Sequence, residues 1–216
     1  AVLDTGIDDD HKDLAVAAGG WAAFDAYGQQ ITDSVPHDEN GHGTHVAGTV
    51  AGPREPAGGG RAYGVAPGAS LYGVKVLNEN GSGTFAQVLA GMEWATEQED
   101  VDIIQMSLGA DGTYDAYIEP VRAANAAGKV VVASVGNNGE NTSGSPANVY
   151  DAVSVGAVDT TESVATFSGS ETLDRDAAWD NPPADWPREY DVPVVVAPGV
   201  GVESAAAGST NDTVLA

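Results

Sequence analysis

Short apolar runs alternate along the chain with longer segments of helical composition. Runs of four to eight residues at Ala1–Asp4, Ser70–Val76, Val101–Ser107, Val130–Val135, Val153–Val158 and Pro193–Ala197 predict strands. Between them, His42–Ala51, Thr84–Gln98 and Tyr114–Ala127 have the length and alanine content of helices, and Gly128 stands where a helix stop is expected. Strands that read as nearly continuous apolar runs, separated by helices, predict an α/β fold whose parallel sheet is covered on both faces. Gly52–Gly60, rich in Pro and Gly, predicts a surface loop. Gly169–Asp191 carries Asn181-Pro182-Pro183 and the rings Trp179, Trp186 and Tyr190, and it reads as an irregular surface insertion. Neither an internal repeat nor a low-complexity tract is present.

Composition narrows the functional classes. The 216 residues suit one domain, which at this size buries roughly 70% of its unfolded surface without a disulfide or metal staple. Zero cysteines exclude disulfides, thiolate metal sites and a cysteine nucleophile. No run approaches the roughly 18 apolar residues of a membrane helix. The 32 acidic side chains against 8 basic ones give a formal charge of -24. Nucleic acid is therefore not an expected partner, because phosphate binding needs clustered Lys and Arg, and the lysines here are only Lys12, Lys75 and Lys129. The acids are spread through well-patterned sequence and read as a solvated surface of a salt-adapted protein.

Open α/β sheets hold their chemistry at the carboxyl ends of the strands. Asp4, Ser107-Leu108-Gly109 and Gly136-Asn137 follow predicted strands directly. Taken singly, Asp4 and Asn137 read as turn residues and His42 as a bonded core histidine. Gly136-Asn137-Asn138-Gly139 lacks the spacing of a phosphate-binding loop. Leu3-Asp4-Thr5-Gly6 matches an aspartic-peptidase signature, but the second carboxylate copy that chemistry requires is missing.

Three segments occur together: Ala1-Val2-Leu3-Asp4-Thr5-Gly6-Ile7-Asp8, then His42-Gly43-Thr44-His45-Val46-Ala47-Gly48, then Gly136-Asn137. In this order they resemble the subtilisin-like serine peptidases, and the resemblance continues through Ser107–Gly109 to Val196-Ala197-Pro198-Gly199-Val200. It implies a three-layer α/β sandwich with a mostly parallel central sheet, here incomplete at the N-terminal strand and in the C-terminal part, with residues 1–216 a single partial catalytic domain. It also implies an Asp-His-Ser triad in which His42 is the base, Asp4 orients it and Asn137 donates to the oxyanion. Substrate would pair as an added strand with Gly81, Ser82 and Gly83 and with Ser107, Leu108 and Gly109. An apolar primary pocket of broad specificity would be walled by Ser107–Gly109 and by Ser134, Val135 and Gly136, with Gly144 at its base. His45 matches a motif histidine without a catalytic role. His11 stands where the family often has a His before a Pro, and Lys12 replaces that Pro.

The family nucleophile lies in a Gly-Thr-Ser-x-Ala segment, and none of Ser168, Ser170 or Ser209 has that context. The expectation is therefore a fragment of a longer secreted endopeptidase, the alternative being a non-catalytic peptide-binding relative of the same fold. The missing last strands would leave apolar surface at Val192–Val200. Further expectations are polypeptide substrates, no membrane or nucleic-acid partner, a monomer, an N-terminal propeptide, and kinship with the acidic halolysin-like members. The chemistry requires no cofactor; a structural Ca²⁺ at Asp13 is expected from the alignment with a family ligand, and Asp8, Asp9 and Asp10 are nearby acids. Salt adaptation has a direct check. The melting temperature should rise between low salt and about 1 M salt, where the Debye length falls to about 3 Å, and a flat or falling curve would discard the idea.

Overall fold

A computed structural model describes residues 1–209 and 212–215. In chain order the first elements are β1 (Val2–Asp4), β2 (Val16–Ala23), α1 (His42–Ala51), β3 (Leu71–Lys75) and α2 (Phe85–Glu97). They are followed by β4 (Ile103–Met106), β5 (Ala110–Asp111), α3 (Ile118–Ala126), β6 (Val130–Ser134), β7 (Gly144–Ser145) and β8 (Val153–Val158). The last are β9 (Glu171–Asp174), α4 (Arg175–Ala178), β10 (Glu189–Val192), β11 (Val195–Pro198), β12 (Glu203–Ala205) and β13 (Thr213–Leu215). The chain forms two compact units, one of Ala1–Val101 with Gly201–Ala216 and one of Asp102–Val200.

In the first unit, β2, β3 and β1 are neighbours in that order and all run parallel. The two-residue period of β1 puts Val2 and Leu3 on opposite faces. Val2 packs with Val46 and Ala47 of α1 and with Leu71 of β3. Leu3 packs with Val74 and Val76 beneath Gly91 of α2. One helix thus covers each face, which makes the three layers the sequence predicts. Asp4, two residues from Val2, inherits the face that looks at α1. Thr84 begins α2 with a reciprocal capping box: its hydroxyl accepts from Gln87 N at 3.2 Å and Gln87 Oε1 accepts from Thr84 N at 3.0 Å.

In the second unit, β4, β6, β8 and β11 form a parallel run. α3 buries Ile118, Val121 and Ala124. The helix expected from Tyr114 begins as a 3-10 turn over Asp115–Tyr117 and becomes α-helical only at Ile118. Pro120 has no N–H with which to reach back four residues, so an α-helical start at Tyr114 would lack that bond. At the Val192–Val200 edge the apolar expectation holds for most of the segment: Val194, Val195 and Val196 are about half exposed, at 56%, 49% and 50%, whereas Val192 is buried in β10.

Two departures from the sequence reading stand out. β2 is absent from the predicted strands because Gly19-Gly20 and alanines blur its alternation; it is held by its pairing with β3, whose register shifts between Val16 and Trp21. The Gly169–Asp191 segment is not irregular, for β9 and β10 pair antiparallel within it and its rings turn inward. Trp179, Trp186 and Tyr190 are all buried, and Trp179 meets Trp186 edge-on with centroids 5.4 Å apart. Trp179 Nε1–H donates to Tyr190 Oη at 2.8 Å, and the Tyr190 hydroxyl donates to Asn148 O at 2.8 Å. Tyr190→Phe keeps the ring and removes both bonds, leaving a buried indole N–H and a buried carbonyl without partners. It should cost about 1–3 kcal/mol, read as a lower urea midpoint at unchanged slope.

Candidate active site

Asp4 ends β1 and is 1% exposed. Its Oδ1 accepts from Thr5 N at 2.7 Å and from His42 Nδ1 at 2.7 Å. His42 is the first residue of α1, and its side chain is 49% exposed. With Nδ1–H donating to the carboxylate, the lone pair is fixed on Nε2, which has no hydrogen-bond partner among the described residues. Beside His42 a cavity of about 500 Å³ is lined by Asn40, Gly41, His45, Ala207, Gly208 and Val214, among others. An imidazole held by a buried carboxylate on one nitrogen and open on the other can accept a proton from a group placed in that cavity.

Local backbone explains why α1 comes so close. Gly41, the N-cap, has φ 98°, and it carries no side chain to cap the helix. A Cβ on Gly43 would stand 2.1 Å from Gly6 O and 3.1 Å from Asp4 Cβ, so any larger residue pushes the first turn of α1 away from β1. Gly43 N–H instead donates to Thr5 Oγ1 at 2.9 Å. The glycine in the His-Gly-Thr-His segment is thus the close-approach point between α1 and the end of β1.

Charge follows the same geometry. The bond from Asp4 raises the His42 pKa above its ordinary 6.5; burial opposes this, and the charges of Asp4 and Asp38 add to it. Burial alone would raise the pKa of Asp38, but donors from Thr44, Gly41 and Thr5 outweigh it and hold the carboxyl below its usual range. Asp38 and Thr5 were not singled out from the sequence. A carboxylate shortly before a helix-opening histidine was the available signal.

The remaining predicted residues are distributed between the units. Gly81, Ser82 and Gly83 are exposed in a turn before α2, closed by Asn78 N donating to Ser82 O at 2.8 Å. In the second unit, Ser107, Leu108 and Gly109 follow β4, and β5 just beyond them pairs with β7, placing Ala110 opposite Ser145 and Asp111 opposite Gly144. Gly144 N donates to Val135 O at 3.0 Å, so the segments Ser107–Gly109, Ser134–Gly136 and Gly144 meet at one end of this unit. Val135 itself is 1% exposed, and its N–H donates to Val155 O at 2.9 Å, so it shapes this end of the unit without offering a free backbone group. Asn137 is exposed after β6, and its carboxamide has no hydrogen-bond partner among the described residues. A carboxylate also stands behind these segments, since Ser143 Oγ donates to Glu171 Oε2 at 2.6 Å one residue before Gly144.

Asp13 is fully engaged by protein donors. Its Oδ1 accepts from Ala57 N and its Oδ2 from the Tyr63 hydroxyl, both at 2.7 Å. Burial and the neighbouring Asp13 charge both push the Tyr63 hydroxyl pKa up, which keeps it a donor. Among the described residues no group of three or more His, Cys, Asp or Glu is gathered as a metal site requires. His45 Nε2 bonds Val202 O at 3.0 Å, and the fully buried His11 bonds Asp212 O at 2.9 Å through Nε2. Both rings are tied to a backbone carbonyl.

Comparison with known proteins gives the chain its family. The chain is 46% identical over 171 residues to subtilisin DY of Bacillus licheniformis, covering 77% of this chain and 58% of that protein. It is 38% identical over 215 residues to subtilisin E of Bacillus subtilis (strain 168), covering 97% of this chain and 49% of that protein. The chain therefore spans about half the length of the curated relatives it matches. Among solved structures, sphericase superposes with a TM-score of 0.79 at 28% identity over 100% of this chain and 71% of its own. A cold-adapted subtilisin-like serine proteinase gives a TM-score of 0.72 at 30% identity, over 99% of this chain and 67% of its own. The fold is accordingly the α/β fold with a mostly parallel sheet that those proteins share. Residues 1–214 match the family model described as the subtilase family, to which this chain belongs.

Proposed function

We propose that the chain supplies the base, its orienting carboxylate and an oxyanion donor to a secreted serine endopeptidase. The observation that carries this reading is the 2.7 Å bond from His42 Nδ1 to a carboxylate that is 1% exposed. A peptide-binding module has no use for a buried negative charge trained on an imidazole; acyl transfer does. In the proposed reaction His42 Nε2 removes the proton of a serine hydroxyl, and the oxygen attacks the scissile carbonyl. Asp4 keeps the imidazole in the required tautomer and stabilises the imidazolium, while the Asn137 carboxamide donates to the oxyanion. The imidazolium then returns its proton to the leaving amine, and a water repeats the cycle on the acyl-enzyme. No serine of these 216 residues lies in a Gly-Thr-Ser-x-Ala segment, so the proposed nucleophile is not among them. Substrate would lie extended along Gly81–Gly83 and Ser107–Gly109, its side chain over Gly144 between backbone walls, which favours broad specificity.

Calcium at Asp13 forms no part of the proposal. A hard cation wants six to eight oxygens, and both oxygens of Asp13 already accept short bonds from the loop containing Ala57 and Tyr63. The loop is fastened by hydrogen bonds where the family alignment led to an ion. Addition of a chelator should leave the melting temperature unchanged, while Tyr63→Phe should lower stability by about 1–2 kcal/mol; a chelator-induced loss would restore the ion.

Two further measurements test the function. A fluorophosphonate probe should label the native protein at a single serine outside these 216 residues and abolish proteolysis. Labelling at a serine inside them, or proteolysis blocked by a chelator and untouched by the probe, would refute the assignment. The pH profile follows from His42, which acts only when neutral. Because Asp4 raises its pKa above 6.5, the rising limb of activity should lie above that pH. The linked stability has the opposite sign: the protonated pair stabilises the fold below pH 6.5, and that stabilisation is lost as pH climbs through the raised value. Asp4→Asn should move the limb toward lower pH and reduce kcat on the order of a thousandfold or more.

A further inference from the structure

Asp38 gathers donors from every backbone segment that borders the Asp4–His42 pair. Its Oδ1 accepts from Thr5 Oγ1 at 2.9 Å, Asn40 N at 3.1 Å and Gly41 N at 2.9 Å. Its Oδ2 accepts from Thr44 N at 2.9 Å and Thr44 Oγ1 at 2.6 Å. Thr5 follows Asp4 directly; Gly41 precedes His42; Thr44 lies in the first turn of α1. The Thr5 hydroxyl, while donating to Asp38, accepts the Gly43 N–H on the other side of His42. One carboxylate and one hydroxyl therefore fix the backbone next to Asp4 and on both sides of His42.

The usual device for this job is missing. Gly41 occupies the N-cap with no side-chain cap bond, so the N–H groups at the start of α1 would otherwise turn to water. Asp38 takes those of Gly41 and Thr44, where its charge also suits the positive end of the helix, while Thr5 Oγ1 takes that of Gly43 and Asn40 Oδ1 that of His42 at 3.2 Å. Lys75 adds a brace from β3: its ammonium hydrogen-bonds the Thr5 carbonyl and lies 3.0 Å from Glu39 Oε2. Thr5 is thus held through its hydroxyl and its carbonyl, and it is 0% exposed.

We propose that Asp38 is a positioning residue for the Asp4–His42 pair, acting through Thr5, Gly41 and Thr44 to set the distance and angle at which the imidazole meets the carboxylate. The proposal rests on the reading of that pair as base and orienter. Asp38 touches neither reacting atom; its role is to define where the first turn of α1 begins relative to the end of β1. It also places a second negative charge near the imidazolium. The charged groups around His42 are Asp4 from β1 and Asp38 from the turn before α1. Lys75 and Glu39 are directed at one another and at Thr5 and His37, and Asp8 is engaged by Gly208 N at 2.7 Å.

The test follows the rings of His11, His42 and His45 in the native protein by NMR and needs no catalytic activity. In the wild type, the short bond to Asp4 should give a downfield His42 Nδ1–H resonance and a titration midpoint above the ordinary imidazole value. Asp38→Asn removes the charge and turns an amide NH₂ toward donors. It should move the midpoint down and weaken or shift the Nδ1–H resonance, while the ring signals of His11 and His45 stay in place. Thr5→Val removes one arm and leaves the Asp38 charge, so it should disturb the Nδ1–H resonance more than the midpoint. Should Asp38→Asn not fold, Thr5→Val alone decides. Wild-type His42 signals in both variants, or in Thr5→Val alone where it decides, would overturn the proposal, as would an equal disturbance of every histidine. Asp4→Asn is the separate control. If it leaves His42 unchanged, the base-and-orienter reading fails, whatever Asp38 does.

Discussion

A carboxylate that is 1% exposed costs free energy unless donors meet it, and Asp4 has two, both at Oδ1: the Thr5 N–H and the His42 Nδ1–H. Its Oδ2 is buried with no hydrogen-bond partner among the described residues. The compensation therefore falls on a single oxygen and depends on α1 lying close enough to present its first residue there. Much of the first unit serves that approach. Val2 and Ile7 pack against Val46 and Ala47 to seat the helix, and Gly43 removes the one Cβ that would keep it off. The result is a polar pair set by apolar packing a few residues away.

The second unit solves a different problem, that of holding a very short strand pair in place. β5 and β7 are only two residues each, too short to stand alone, and Asn148 fastens them from behind. Its amide donates to Gly112 O at 3.0 Å and to Ser143 Oγ at 3.1 Å, while Ser145 Oγ donates to its Oδ1 at 2.6 Å. Asn148 is in turn held by Tyr190, and Thr113 by Ala178 O, both partners from the segment 169–191. This segment is thus built into the support of the β5–β7 pair.

The acidity of the chain is almost wholly a surface property. Among the described residues Asp4 is the only Asp or Glu in the buried class. The ion pairs that form, such as Arg122 with Asp185 at 3.1 Å and Arg175 with Asp176 at 2.8 Å, are largely exposed and contribute little each. With 8 basic groups for 32 acids, most carboxylates have no cationic partner in the chain and face water.

The sequence by itself determined the parallel strands, the span of α1 and the three short segments that carry Asp4, His42 and Asn137. Local apolar runs, helix stops and fixed-spacing motifs are written in contiguous residues and can be read there. Only tertiary structure decided which donors meet Asp13, because its partners Ala57 and Tyr63 lie 44 and 50 residues away. The same holds for Asp38, whose bond to Thr5 crosses 33 residues, and for β2, a glycine-rich strand defined by its neighbour rather than its own pattern. The segment 169–191 reads as irregular because Pro and Gly mark turns, whereas the inward packing of its rings depends on Asn148 and Asp151, to which Tyr190 and Trp186 donate. Which donor finds which acceptor is fixed by distance in space, and that appears only when the sheet and helices have brought remote residues together.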